Sequence, residues 1–160
     1  MQGWRVCPGH TDGVTQVAFS PDGRLLASVA GRWPIPDDKR ILLWDAASGK
    51  LLRSLAEEDE DAAQAIRCVT FSADGKSIFD GGSEGHIRRR DVQTGKIVQT
   101  LNTGMEHVLG LSASPDGRYV ASIGFGLPTR SCCGILRLGS SPSSWMMAPR
   151  TMCPIVQLVV

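Results

Sequence analysis

The chain has 160 residues, 42% hydrophobic and 21% charged, with a formal net charge of +1. That is the composition of one globular domain, and it leaves no global field to steer the chain to nucleic acid or to a membrane surface. No apolar run approaches the ~20 residues of a membrane-spanning helix, and Met1-Gln2-Gly3-Trp4-Arg5 lacks the apolar core of a secretory signal. Five cysteines, an odd number without a regular framework, point to reduced thiols and a cytoplasmic setting.

The first run, Val14 to Phe19, alternates apolar and polar residues and ends in Ser20-Pro21-Asp22-Gly23. Proline presets the second position of a type I turn and glycine closes the fourth, so Arg24 to Val29 returns as the second arm of a hairpin. Arg40 to Trp44 reads as a third strand, Asp45 to Gly49 as a turn, and Lys50 to Leu55 as a fourth strand. The same grammar recurs 46 to 52 positions later: Phe71-Ser72-Ala73-Asp74-Gly75, then Arg90-Asp91, then Thr94-Gly95-Lys96. A third copy begins at Ala113-Ser114-Pro115-Asp116-Gly117.

From Asp22 to Asp45 is 23 residues and from Asp74 to Asp91 is 17, so the first copy carries six extra residues between its second and third strands. From Leu55 to Phe71 is 16 and from Leu101 to Ala113 is 12, so its following connection is four longer. The strands hold register and only loops vary. Four short antiparallel strands per repeat of roughly 40–45 residues describe a propeller blade.

With Gly9-His10, the Ser-Pro-Asp-Gly turns, Trp44-Asp45 and the Ser/Thr-Gly-Lys turn, the chain resembles the WD-repeat β-propeller family over about residues 4–123. The expectation is an all-β, incomplete β-propeller of four-stranded antiparallel blades at about 14–55, 66–101 and 108–138 within a partial propeller of residues 1–138. The resemblance also implies a buried polar tetrad in the first blade: His10, Ser28, Asp38 and Trp44. The second copy departs, with Ala62, Asp80, Glu84 and Arg90 at these positions. Either Arg90 pairs with Asp80 in a charge-assisted bond or it lies at a wet blade edge. The third copy offers Gly104, Ser122, Cys132 and Leu138, with Gly139 where the Asp is expected.

An irregular tail at 139–160 follows, without acidic residues or lysine and with three of the five methionines. It reads as a frameshifted or disordered end of a longer propeller protein, or as a divergent cap. Propellers close with ~4–8 blades, so self-association or missing blades are expected at the two open apolar faces.

Alternate turns of a meander fall at one end, which puts the two lengthened loops of the first blade on a shared rim. One carries Trp33 and Ile35; the other carries Glu57, Glu58, Asp59, Glu60 and Asp61. Trp33 could anchor a basic peptide that the acids steer, or it could tuck onto its own blade beside a solvated loop. Arg88-Arg89-Arg90 alternates faces on a strand and lacks a stacking platform, so no nucleic-acid role is expected. Cys7, His10, Cys132 and Cys133 match no zinc spacing. His86 reads as a strand residue and His107 as part of an inter-blade segment, both at the surface. No phosphate loop, nucleophile elbow or dinucleotide fingerprint is present, and no metal or cofactor is implied. The inner strands offer mainly Thr, Gln, Arg and Ser. The expected function is a non-catalytic scaffold binding a protein or peptide, without a nucleic-acid or membrane partner. The alternative is a propeller module assembled with an enzyme, or a propeller hydrolase or oxidoreductase acting in the channel.

Overall fold

A computed structural model describes residues 7–31, 38–55, 65–126 and 130–138. Among these residues every regular element is a strand, and none is a helix long and apolar enough to cross a membrane. The first sheet is β1 (Val14–Phe19), β2 (Leu25–Ala30), β3 (Ile41–Asp45) and β4 (Leu51–Leu55), paired antiparallel in chain order. The second repeats it with β5 (Ile66–Phe71), β6 (Ser77–Gly82), β7 (His86–Asp91) and β8 (Ile97–Asn102). The third has β9 (His107–Ala113), β10 (Tyr119–Gly126) and β11 (Arg130–Arg137). The irregular tail expected at 139–160 lies outside the described residues.

The turns form for local reasons, three times over. The Ser20, Ser72 and Ser114 hydroxyls donate to Asp22, Asp74 and Asp116 at 2.5, 2.6 and 2.6 Å. Gly23, Gly75 and Gly117 close each turn onto the serine carbonyl, at φ of 71°, 68° and 71°. Only glycine takes that left-handed backbone without steric cost. Each serine hydroxyl, and then the backbone N–H two residues beyond the aspartate, hold these three carboxyls below the usual range.

The irregularities of the sheets repeat as well. The inner strand of each blade carries one extra residue at the same register position: Thr15, Arg67 and Leu109. The outer strands carry another at Leu52 and Val98. A bulge that recurs in register is part of the blade's twist and not a defect.

Consecutive sheets pack face to face. Ala27, Val29, Ile41, Leu43 and Leu55 of the first blade meet Ile66, Val69, Phe71 and Ile78 of the second. Cys68, Phe79, Ile87 and Leu101 on the far side of the second blade meet Val108, Leu111 and Val120 of the third. The inner strands β1, β5 and β9 lie side by side. Burial of each blade's apolar face therefore depends on its neighbour, as for any repeat scaffold.

Register corrects three expectations in the third blade. Leu26 pairs with Trp44 and Ile78 with Arg90, and the same step reaches Val120 paired with Leu136. So Leu136 occupies the tryptophan position, not Leu138. Arg137, not Gly139, stands where the first two blades have Asp45 and Asp91. The cause is the β10–β11 hairpin, which pairs without a break from Tyr119–Arg137 to Gly126–Arg130. His107 opens β9 instead of lying between blades, with its ring 4.7 Å from that of Phe125.

Candidate functional site

At one end of the first blade the chain before β1 folds back over the sheet. Trp44 Nε1 donates to Ser28 Oγ at 2.8 Å. His10 Nε2 lies 2.8 Å from the same Oγ, and His10 Nδ1 lies 2.8 Å from Asp38 Oδ2. An indole only donates and a carboxylate only accepts. In the neutral ring this sets one direction for the chain: Trp44 to Ser28, Ser28 to His10, and His10 Nδ1–H to Asp38. The structure thus brings together His10, Ser28, Asp38 and Trp44.

Asp38 is the sink of the network. It also accepts from Thr11 N at 3.0 Å, Arg40 N at 3.1 Å, and Arg40 Nε and Nη2 at 3.0 Å each. Burial pushes its carboxyl up. The Arg40 guanidinium, then His10 and the two backbone N–H groups, outweigh burial and hold it well below the carboxylate range. Arg40 Nη2 donates in addition to the Gly9 carbonyl at 3.0 Å, so one side chain ties the incoming segment to the β2–β3 connection. Sequence reasoning missed Arg40 and Thr11; the Asp-x-Arg spacing was the available signal for the former.

Gly9 is dictated by packing. A Cβ there would lie 2.9 Å from Trp44 Cη2 and 3.0 Å from Leu42 Cδ1. Gly9→Ala is expected to cost about 1–3 kcal/mol through overpacking. A lowered urea midpoint at unchanged m value would register it.

The second blade solves the same burial problem with charge. Arg90 Nε donates to Asp80 Oδ2 at 2.7 Å and Arg88 Nε to Asp80 Oδ1 at 2.9 Å, all three side chains being buried. Arg88 and Arg90 thus share a face, while Arg89 turns to the other and donates to Ser77 Oγ at 2.9 Å. The pairing of Arg90 with Asp80 is present, and the wet-edge alternative is not. Glu84, one of the four positions matched in this blade, is exposed in the β6–β7 turn at φ 70°. The physical reason is loop length. The β2–β3 connection runs over 31–40 and can fold a carboxylate back over the sheet, whereas β6 and β7 are joined by 83–85 alone. The second blade carries its carboxylate on β6 instead. Ala62 lies outside the described residues.

Cys68 is buried against this cluster and its thiol donates to Gly81 O at 3.3 Å. Burial, reinforced by the Asp80 charge, pushes it up to about 12, which makes it an inert core group. Among the described residues no group of three or more His, Cys, Asp and Glu could hold a metal ion.

The ends of both lengthened connections meet at one end of the first blade: Val29 pairs with Ile41 and Ile41 with Leu55, and Leu55 shares a core cluster with Ile66. Trp33, Ile35, Glu57, Glu58, Asp59, Glu60 and Asp61 themselves lie outside the described residues.

Residues 4–45 match the family model described as WD domain, G-beta repeat, and residues 56–125 that described as Anaphase-promoting complex subunit 4 WD40 domain. A chromatin assembly factor 1 protein of Gallus gallus is 30% identical over 146 residues, covering 81% of this chain and 24% of that protein. Small ribosomal subunit protein RACK1 of Medicago sativa is 37% identical over 98 residues, covering 61% of this chain and 26% of that protein. The solved "Structure of U3-55K" superimposes with a TM-score of 0.63 over 74% of this chain and 35% of that chain, at 24% identity, a likeness of fold. The chain spans about a quarter of the length of these curated relatives. With its turns and inner-strand bulges repeating in one register and these matches across it, the chain belongs to the WD-repeat family of β-propeller proteins.

Proposed function

We propose that the chain is a non-catalytic platform that binds a protein or peptide. The observation that carries this reading is the commitment of the first blade's reactive-type side chains. Both nitrogens of His10, the Ser28 hydroxyl, the indole N–H and the Asp38 carboxylate all bond to one another or to the backbone and Arg40. A network satisfied in this way holds loops rigid and leaves no base or nucleophile poised for substrate. The relatives' names, a chromatin assembly factor and a small ribosomal subunit protein, support a role within assemblies.

The surface proposed for contact is the rim where the two lengthened connections begin and end, with Trp33 and Ile35 as apolar anchors and Glu57 to Asp61 steering a basic segment. A reducing compartment such as the cytoplasm suits the buried thiol of Cys68. A thermal-shift screen tests the reading. Lys/Arg-rich peptides are expected to raise the melting temperature in a salt-sensitive way, and charge reversal across Glu57–Asp61 to abolish the shift. Shifts with small metabolites and none with peptides would overturn it.

A further inference from the structure

The two end faces of the blade stack are not alike, and each is the register counterpart of a face already buried inside the chain. On the first blade Val17 and Phe19 are 52% and 64% exposed. Their counterparts one blade on, Val69 and Phe71, pair with Asp80 and Ile78 as Val17 and Phe19 pair with Ser28 and Leu26. Those counterparts are 0% and 5% exposed, buried on Ala27, Val29, Ile41 and Leu43 of the preceding blade.

On the third blade Ile123 and Ile135 are 58% and 39% exposed. Ile123 pairs with Cys133, and Ala121 with Ile135, as Val29 pairs with Ile41 and Ala27 with Leu43. One open face therefore repeats the surface that receives a following blade, and the other repeats the surface that seats on it.

We propose that a second copy of this chain docks head to tail on the first. The Ile123 face of each third blade seats on the Phe19 face of the other chain's first blade, closing a ring of two chains. The contact continues the observed blade-to-blade interfaces, in which Val29 and Leu43 meet Val69 and Phe71. The three sheets among each chain's described residues give a ring of six, within the ~4–8 blades at which propellers close. A head-to-tail contact must either close or run on as a fibre; here two equal contacts close the ring and cover all four apolar faces.

The test is the solution mass of the full chain by light scattering. About twice the 17.2 kDa of one chain is expected. Phe19→Asp and Ile123→Asp, each on an exposed side chain, are expected to weaken association about tenfold or more with an unchanged far-ultraviolet circular dichroism spectrum. Mixing the two variants should restore a two-chain species, because one contact in the mixed pair is then native on both sides. A single-chain mass for the parent, leaving the faces to blades of another chain, overturns the proposal. So does a mass far above two chains. A dimer broken by Phe19→Asp and not by Ile123→Asp overturns it in favour of a contact between like faces, and so does failure of the mixture to reassociate.

Discussion

Asp80→Ala is expected to lower the unfolding free energy by about 3–5 kcal/mol, the range for removing one partner of a buried ion pair. That is a large share of the roughly 5–15 kcal/mol that holds a whole domain together. Asp80 is 0% and Arg90 1% exposed, and Asp80 accepts from both Arg88 and Arg90. The substitution strips both guanidinium groups of their shared carboxylate inside a low-dielectric blade interface. Arg90→Leu should cost less, because the Arg88 bond to Asp80 Oδ1 survives it. Replacing Asp80, Arg88 and Arg90 together by leucine should come out near neutral or stabilising, since the desolvation cost of the charges goes with them. Equilibrium urea denaturation of the single and triple variants measures all of this. A single Asp80→Ala variant within about 1 kcal/mol of the parent would show that water reaches the arginines.

Much of this architecture is legible in sequence because its determinants are local. The Ser-Pro-Asp-Gly turns are closed by bonds spanning at most five residues, from Ser20 to Leu25 and their repeats. In the first blade, strand starts and stops therefore follow from the residues themselves, to within one position. Alternation along β7 likewise puts Arg88 and Arg90 on one face, although the sequence points to Arg90 alone as the partner of Asp80. What depends on a connection's path is not legible. Arg40 donates to both Asp38 and Gly9, and its contact with Gly9 spans 31 residues, so no local pattern announces it. The third blade's slip, from Leu136 to Leu138, arises at a hairpin whose connecting residues carry no turn motif of the Ser-Pro-Asp-Gly kind. The tetrad positions rest on the family resemblance more than on chemistry that could be read from His10 or Ser28 alone.

Asp38→Ala is expected to cost about 3 kcal/mol at neutral pH, the lower end of the buried-pair range because the Arg40 side chain reaches solvent. It removes the acceptor of His10, Thr11 and Arg40 together, and so frees the segment that seats Gly9 on Trp44. The cost is also pH-dependent with a definite sign. Arg40, His10 and two backbone N–H groups overcome burial and lower the folded-state carboxyl from the ordinary 3.8. A carboxyl depressed on folding stabilises fully above its unfolded value. That contribution drains away as the pH falls below 3.8 towards the lower folded value. The stability difference between parent and Asp38→Ala should therefore shrink as the pH falls below 3.8. Asp22, Asp74 and Asp116, lowered in the exposed turns, remain in both proteins and cancel in the comparison. Urea midpoints of the two proteins across the acid range read the difference directly. A gap that stays constant through pH 3.8 would mean that Asp38 acts by packing alone and that its charge contributes nothing to holding the first blade closed.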